Sequence, residues 1–205
     1  MRLAFIGLGV MGYPMSGYLA KKYDVTVFNR TTSKAEAWCK KYEGKLASTP
    51  AAAAKNAEIV FSCVGNDDDV REVLLGPSGV LNSIKRDTII VDHTTASATI
   101  AREVYEAAKS KGVEFLDAPV SGGQAGAENG ELTVMVGGNV ETFNKAAPIM
   151  KAYSKAITHI GLVGSGQLAK MVNQICLTGV VQGLAEGLHF AEKAFLHPLL
   201  ALMHY

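Results

Sequence analysis

The chain has 205 residues, a hydrophobic content of 48% and a formal net charge of +1 at pH 7. This length can hold one domain of about 150 residues and part of a second. So small a net charge gives no overall positive electrostatic potential that would attract nucleic acid or an anionic membrane. No apolar run is long enough to span a bilayer and the chain enters a strand at once, so we expect neither a membrane partner nor a signal peptide.

The first predicted element is a short apolar strand, Arg2 to Ile6, which runs into F-I-G-L-G-V-M-G at 5–12 and then a helical pattern. In such a strand-turn-helix unit the first glycine permits a tight turn, the second lets a pyrophosphate approach the backbone, and the third allows close helix packing. The helix N-terminus then supplies N–H groups and a positive dipole end for phosphates. The predicted cofactor-binding residues here are Gly7, Leu8, Gly9, Val10, Met11 and Gly12; the alternative is a glycine-rich turn that binds nothing.

The second predicted strand, Asp24 to Phe28, ends in Asn29-Arg30-Thr31, where a dinucleotide fold meets the adenosine ribose. Asn29 lies 22 positions after Gly7 (29 − 7), near the expected spacing of about 20. A carboxylate at this place binds the 2′-hydroxyl of NAD, whereas an arginine accommodates the 2′-phosphate of NADP. Because no carboxylate is present and a guanidinium pairs well with a phosphate, the sequence favours NADP over NAD. The alternative is that Arg30 is a solvated surface charge.

Helical and strand patterns then alternate as far as Ile160. The predicted strands are 45–47, 58–64, 88–92, 115–116, 132–136 and 157–160, and the predicted helices are 33–42, capped by Thr32 or Ser33, one opened by Thr49-Pro50, 97–111 and 140–153. Strand 58–64 is apolar almost throughout, as a buried parallel strand is, and it brings Val64 to the cofactor end of the sheet. The pattern predicts an α/β fold with a Rossmann-type, mostly parallel sheet over residues 1–163.

Two later segments carry hydrogen-bond donors. His93-Thr94-Thr95 follows strand 88–92, and its hydroxyl groups either cap the next helix or reach the nicotinamide. Ser121 and the backbone N–H groups of Gly122 and Gly123 form a compact donor set suited to a carboxylate or an oxyanion. The alternative for this second segment is a flexible loop.

The longest periodic segment begins after Gly166 and runs to about Ala194, with an apolar stripe at Leu168, Met171, Val172, Ile175 and Val180. It predicts the first long helix of an incomplete all-α domain over residues 164–205. Lys170 and Asn173 are three residues apart and so share one face. With the apolar residues 199–203, this stripe predicts a homodimer formed through the helix.

We expect no metal site and a cytoplasmic location. Asp67, Asp68 and Asp69 are predicted to begin a helix, where negative charge is favoured, rather than to bind a cation. The spacing of His189, His197 and His204 fits no standard metal site. The three cysteines are widely spaced, without a metal or redox motif, which indicates reduced thiols.

Five motifs in order resemble the β-hydroxyacid dehydrogenase family, which includes 3-hydroxyisobutyrate dehydrogenase, tartronate semialdehyde reductase and the glyoxylate/succinic semialdehyde reductases. The motifs are F-I-G-L-G-V-M-G at 5–12, D-H-T-T at 92–95, D-A-P-V-S-G-G at 117–123, G-E-L-T-V-M-V-G-G at 130–138 and G-x-x-x-K-x-x-N at 166–173. The resemblance implies that Lys170 is a general acid/base and that Ser121, Gly122 and Gly123 hold the substrate carboxylate. It also implies that Asn173 orients the substrate and that Thr95 lies near the nicotinamide.

The C-terminal part departs from the family pattern. Relatives have a G-L-D-P type connection and a further helical domain after the long helix, whereas this chain reads F-L-H-P at 195–198 and stops at Tyr205. The resemblance therefore implies a C-terminally truncated chain.

The favoured function is hydride transfer between NADP(H) and a small, carboxylate-bearing β-hydroxy acid or semialdehyde acid. One alternative is a catalytically silent NADP-binding fragment or interaction scaffold. A larger sugar acid, as in the 6-phosphogluconate dehydrogenases, is disfavoured because no extra basic cluster is present for a substrate phosphate.

Overall fold

The computed structural model describes residues 1–197. Contacts between residues divide the chain into two units, Met1–Lys170 and the residues from Met171 onward. The apolar residues 199–203 of the predicted dimer surface and His204 of the C-terminal histidine set lie outside the described residues. The predicted domain boundary at residue 163 stays a prediction.

The first unit is built on a sheet that has nine strands within the described residues. The strands are β1 (Arg2–Ile6), β2 (Asp24–Phe28), β3 (Lys45–Leu46), β4 (Ile59–Ser62), β5 (Ile89–Asp92), β6 (Glu114–Asp117), β7 (Val120–Ser121), β8 (Leu132–Gly138) and β9 (Ser154–Gly161). The helices are α1 (Gly12–Ala20), α2 (Thr32–Tyr42), α3 (Pro50–Ala54), α4 (Asp67–Leu75), α5 (Ala98–Ser110), α6 (Gly123–Asn129), α7 (Val140–Met150) and α8 (Ser165–Lys193), with a 3₁₀ turn at Val80–Asn82.

The strand order confirms the predicted fold class. The order β3-β2-β1-β4-β5-β6 is parallel throughout, as in a Rossmann sheet. Strand β8 follows and runs antiparallel to both β6 and β7, whereas β9 pairs with it in parallel. A long helix, α8, comes after the sheet.

Two apolar layers bury the two faces of the sheet. Along β1, Leu3 and Phe5 face one layer and Ala4 and Ile6 face the other, because successive side chains of a strand alternate between faces. The first layer includes residues of α1, α2 and α7, and the second includes residues of α3, α4 and α5. Such double coverage explains why the central strands are apolar without interruption.

Local capping differs in part from the predictions. Thr49 caps α3 by accepting from the Ala52 N–H group at 3.0 Å, with Pro50 in the first turn, as predicted. The predicted cap at Thr32 or Ser33 is wrong, because α2 begins after Thr31, which makes no side-chain capping bond. The three aspartates at 67–69 do form the first turn of α4.

The donor-rich segment at 117–126 is more ordered than a flexible loop. Val120 and Ser121 pair with Val134 and Thr133 of β8 as the short strand β7, and α6 follows from Gly123. Sequence periodicity does not reveal these elements because β7 is two residues long and depends on pairing with a strand more than ten positions away. No helix within residues 1–197 combines the length and the hydropathy of a membrane span.

Candidate functional site

A cleft of about 620 Å³ opens at the carboxyl ends of β1, β2 and β4, the edge at which open α/β sheets bind ligands. Its volume falls within the usual range of roughly 300–1,000 Å³ for ligand sites. Most residues predicted to bind the cofactor line this one cleft: Gly7, Gly9, Val10, Met11, Gly12, Asn29, Arg30, Thr31 and Val64. The structure therefore brings together residues from three separate strand ends.

The glycine turn is shaped by close contacts on one side and open space on the other. Gly7 has φ of +95°, and a Cβ added there would overlap the carbonyl oxygen of Cys63. A Cβ at Gly12 would overlap the Gly7 carbonyl oxygen, so α1 packs against the turn itself. A Cβ at Gly9 would meet nothing within 4 Å, which leaves the backbone there accessible from the cleft.

Asn29 supports the turn rather than presenting a free side chain. Its Oδ1 accepts from the Leu8 N–H group at 2.8 Å, and its Nδ2 donates to the Thr31 carbonyl oxygen at 3.0 Å. Leu8 does not line the cleft, since its side chain is 2% exposed and packs in the core. Both residues thus hold the glycine turn against the end of β2.

The lining of the cleft carries charges of both signs, with Arg30 and Lys34 near the end of β2 and Asp69 and Glu72 of α4 beside them. Arg30 lines the cleft with an 88% exposed side chain, and its guanidinium lies 3.4 Å from a carboxylate oxygen of Asp69. An exposed pair of this kind contributes little stability, so the guanidinium can turn to another anion. Lys34, in α2, lines the same cleft. The sequence analysis missed Lys34 because the dinucleotide spacing rule names only residues directly after β2.

A buried hydrogen-bond network closes the end of β5. Asp92 is 2% exposed, and its Oδ1 accepts from the hydroxyl groups of Ser62 at 2.8 Å and Thr94 at 2.6 Å. The Thr94 hydroxyl oxygen in turn accepts from the Val64 N–H group at 3.0 Å. Burial raises the pKa of Asp92 to about 6, although these hydrogen bonds favour the carboxylate.

The suggestion that a threonine at 94 or 95 caps α5 is wrong. Ser97 is the cap, since its hydroxyl oxygen accepts from the Ile100 N–H group at 3.0 Å. Thr94 belongs to the buried network, and Thr95 is exposed at the strand end. A contact of Thr95 with the nicotinamide stays a prediction.

His93 links the end of β5 to the segment that leads to Ser121. Its Nδ1 lies 2.6 Å from the Ala118 carbonyl oxygen and its Nε2 lies 2.8 Å from the Tyr153 hydroxyl. Burial lowers the pKa of His93 to about 4, so the ring is neutral near pH 7. We assign Nδ1 as donor and Nε2 as acceptor, because a carbonyl oxygen can only accept.

The predicted carboxylate-binding residues lie at the end of β7. Ser121 is half-buried and ends that strand, while Gly122 and Gly123 are exposed, with φ of +133° and +62°. These backbone angles lie in the region that favours glycine. None of the three lines the cleft described above.

Lys170 lies in the second turn of α8 and is only 6% exposed. Burial lowers its pKa from the ordinary lysine value. Within the unit Met1–Lys170, none of the ion pairs involves its ammonium group, and no buried side-chain nitrogen or oxygen among the described residues lacks a partner, so this nitrogen keeps some contact with solvent. Asn173 is three residues further along α8 in the second unit, so its relation to Lys170 rests on helical spacing alone.

Asp117 and Gln167 are polar residues that the sequence analysis did not assign, although both lie inside its motifs. Asp117 is fully buried, and its two carboxylate oxygens accept from the N–H groups of Gly164 at 2.7 Å and Gln167 at 2.9 Å. Burial raises the pKa of Asp117, and the backbone hydrogen bonds oppose that rise.

Among residues 1–197 no cluster of three or more potential metal ligands occurs.

Comparison with known proteins identifies the family. The family described as the NAD-binding domain of 6-phosphogluconate dehydrogenase matches residues 2–161. Over 199 residues the chain is 58% identical to an uncharacterized oxidoreductase of Shewanella frigidimarina, an alignment that covers 97% of this chain and 68% of that protein. Over 199 residues it is 43% identical to the probable 3-hydroxyisobutyrate dehydrogenase-like 2, mitochondrial, of Arabidopsis thaliana, covering 97% of this chain and 66% of that protein.

A solved structure gives the same assignment. The 3-hydroxyisobutyrate dehydrogenase of Mycobacterium tuberculosis with L-serine superposes with a TM-score of 0.88 at 34% identity, over 96% of this chain and 66% of that chain. The chain thus spans about two thirds of the length of these relatives. From the cleft, the strand order and these matches, we conclude that the chain belongs to the family of the 6-phosphogluconate dehydrogenase NAD-binding domain, with 3-hydroxyisobutyrate dehydrogenase-like oxidoreductases among its relatives.

Proposed function

We propose that this chain carries the cofactor-binding and proton-transfer groups of an NADP-dependent oxidoreductase that interconverts a small aldehyde acid and its hydroxy acid. The observation that carries the proposal is Lys170, an almost buried lysine for which the first unit provides no counter-charge. Its partial burial lowers the pKa of the ammonium group. Such an environment suits a proton donor whose pKa must lie nearer neutrality.

The cleft fits a dinucleotide in shape and charge. Its open side at Gly9 leaves room for a pyrophosphate against the backbone at the start of α1. Arg30 and Lys34 lie on its rim near the end of β2, where the adenosine ribose of a bound dinucleotide is expected. The residue that ends β2 is followed by Asn29 rather than a carboxylate, and Arg30 is held only by an exposed pair with Asp69, so its guanidinium is available to the additional 2′-phosphate of NADP.

Each of the predicted catalytic and substrate-binding residues has a separate role in the proposed reaction. NADPH, when bound, supplies a hydride to the aldehyde carbon. The ammonium group of Lys170 donates a proton to the carbonyl oxygen as that oxygen gains the electron pair of the C=O bond, and an alcohol results. Ser121 and the N–H groups of Gly122 and Gly123 bind the carboxylate of the substrate, and Asn173 orients it.

The catalytic proposal is tested by following NADPH absorbance with glyoxylate, succinic semialdehyde, methylmalonate semialdehyde and tartronate semialdehyde. We expect turnover of at least one aldehyde acid, and little turnover of the matching aldehyde without a carboxylate. Equal rates with and without the carboxylate would contradict the role of Ser121. Absence of turnover with both NADPH and NADH, despite cofactor binding, would contradict oxidoreductase activity for this chain.

We further propose that the chain forms a cytoplasmic homodimer through the second unit. In that unit α8 exposes large apolar side chains, among them Ile175 at 72% and Phe190 at 71%. Exposed apolar residues clustered on one helix are unusual in a monomer. Light scattering should give twice the chain mass for the wild type and the monomer mass for Ile175→Glu. The control is Gln182→Glu, which changes an exposed polar residue of the same helix and should keep the dimer mass. A monomeric wild type at micromolar concentration would contradict the dimer.

A further inference from the structure

The first turn of α8 is attached to two strand ends by the buried side chains of Asp117 and Gln167. Asp117 ends β6, and its carboxylate accepts from two N–H groups at the start of α8, those of Gly164 and Gln167. A Cβ at Gly166 would lie 2.5 Å from the Asp117 carbonyl oxygen and 2.6 Å from that of Met135. The helix therefore begins in direct contact with the edge of the sheet.

Gln167 makes the second attachment, to the end of β5. Its side chain is 1% exposed, its Oε1 accepts from the Ala96 N–H group at 3.0 Å, and its Nε2 donates to the Thr94 carbonyl oxygen at 2.7 Å. These two backbone groups lie on either side of Thr95. The carboxamide therefore pairs with the backbone around Thr95 through one donor and one acceptor, as the backbone of a neighbouring strand does. A side chain with one donor and one acceptor at this spacing is required, because both backbone groups are buried.

The same residue is close to Lys170 on the helix. Residues three apart on a helix are neighbours on its surface, so any tilt of the helix at Gln167 displaces the Lys170 side chain. We infer that Gln167 is a positioning residue, which holds the proton-donating lysine of α8 in register with the segment 94–96 that follows β5. This inference rests on the proposed function of Lys170 and adds a residue to it.

The test compares Gln167→Met with Gln167→Glu. Methionine has a similar length but neither hydrogen bond, so we expect kcat for aldehyde reduction to fall by about 10- to 100-fold. The Kd of NADPH, measured by fluorescence, should change less than about threefold, because neither Gln167 nor the residues 94–96 that it holds line the cleft. The matched control is Gln182→Met, at an exposed glutamine of the same helix whose side chain donates to Glu186; this variant should keep the wild-type kcat.

The Gln167→Glu variant supplies a pH signature. When protonated, the introduced carboxyl group can accept from Ala96 and donate to Thr94 as the carboxamide does; when ionised, it faces the Thr94 carbonyl oxygen without a donor. Burial and the nearby Asp117 and Asp92 raise the pKa of such a carboxyl, while Lys170 opposes the rise. We therefore expect kcat near the wild-type value at low pH and a loss as pH rises, whereas Gln167→Met should lose a constant fraction at every pH.

A second readout does not depend on turnover. The rate at which acetic anhydride acylates Lys170, relative to the exposed Lys151, is measured by peptide mass spectrometry in wild type and Gln167→Met. Release of the helix should raise this ratio at least about fivefold, even if no aldehyde acid is a substrate. Circular dichroism confirms that each variant is folded.

The outcomes separate the two proposals. A wild type that reduces no aldehyde acid contradicts the proposed function, and the acylation ratio then still decides the role of Gln167. An unchanged ratio in folded Gln167→Met overturns the inference, as does a kcat within about twofold of wild type. Equal losses for Gln167→Glu at all pH values also overturn it.

Discussion

The cofactor cleft and the surroundings of Lys170 are built in different ways. The cleft is organised by one contiguous turn, Gly7 to Gly12, which is held by the residue that follows β2. Lys170 is placed by side chains that bridge 50 residues, from Asp117 to Gln167, and 73 residues, from Thr94 to Gln167. The first region depends on backbone shape, and the second depends on a few long-range hydrogen bonds.

The largest expected effect is a loss of stability caused by displacing the backbone of the glycine turn in the cleft. Gly12→Ala places a Cβ on top of the Gly7 carbonyl oxygen, an overlap that no rotamer change can relieve. We expect a loss of about 2–4 kcal/mol in the free energy of unfolding, typical of overpacking combined with backbone displacement. Urea unfolding followed by circular dichroism measures this loss.

The neighbouring Gly9→Ala variant is the matched control. Its Cβ meets open space, so stability should stay within about 0.5 kcal/mol of wild type. The methyl group projects towards the space assigned to the pyrophosphate, and the Kd of NADPH should rise about tenfold or more. Equal stability losses for the two variants would contradict the distinct roles of these glycines.

Replacing Lys170 should remove the proposed proton donor of the second region and leave the fold intact. Lys170→Met should lower kcat by about 10²- to 10⁴-fold, the usual contribution of a general acid, and leave the Kd of NADPH within about twofold. Lys151→Met, at an exposed site, is the control. A kcat that falls less than about fivefold would rule out proton donation by Lys170.

The same variant has a stability signature with a defined sign. Because burial lowers the pKa of Lys170 in the folded state, the unfolded chain binds the proton more readily. Wild-type stability should therefore rise as pH increases from the folded-state pKa towards about 10.4, the ordinary lysine value. Lys170→Met should lack this rise when urea unfolding is measured across that interval.

A smaller effect concerns the rim of the cleft. Arg30→Ala should raise the Kd of NADPH about 10- to 100-fold, as expected for a lost charge-assisted hydrogen bond, and that of NADH less than about twofold. Lys34→Ala should shift NADPH affinity in the same direction by less. The exposed Arg86 provides a control substitution. Equal changes for the two cofactors would remove the basis for NADP preference.

The difference between the two regions also explains what sequence could predict. The glycine turn, the end of β2 and the parallel strands follow from local patterns, since each is set by residues within about 30 positions. The roles of Asp117 and Gln167 could not be derived, because a buried side chain's partner depends on which distant strand ends become neighbours. Thr94 illustrates the same limit: a hydroxyl expected either to cap a helix or to reach the nicotinamide instead lies in a buried network with Asp92.

That network allows a test in which the geometry is kept and only a charge is removed. Folding raises the pKa of Asp92 from an ordinary value of 3.8 to about 6, so the folded state binds the proton more readily than the unfolded chain. Stability should therefore fall as pH rises through this interval, by at most about 3 kcal/mol if 1.36 kcal/mol applies per pKa unit.

Asp92→Asn should abolish this fall, because an amide does not ionise and its Oδ1 can still accept from Ser62 and Thr94. The difference in stability between variant and wild type, measured by urea unfolding at several pH values, isolates Asp92 from His93, whose lowered pKa makes stability fall as pH decreases. A flat difference curve between pH 4 and 6 would mean that the Asp92 carboxyl titrates alike in both states. If the stability of Asp92→Asn minus that of the wild type rises with pH, the hydrogen bonds from Ser62 and Thr94 do not fully offset the cost of burying the ionised Asp92 carboxylate.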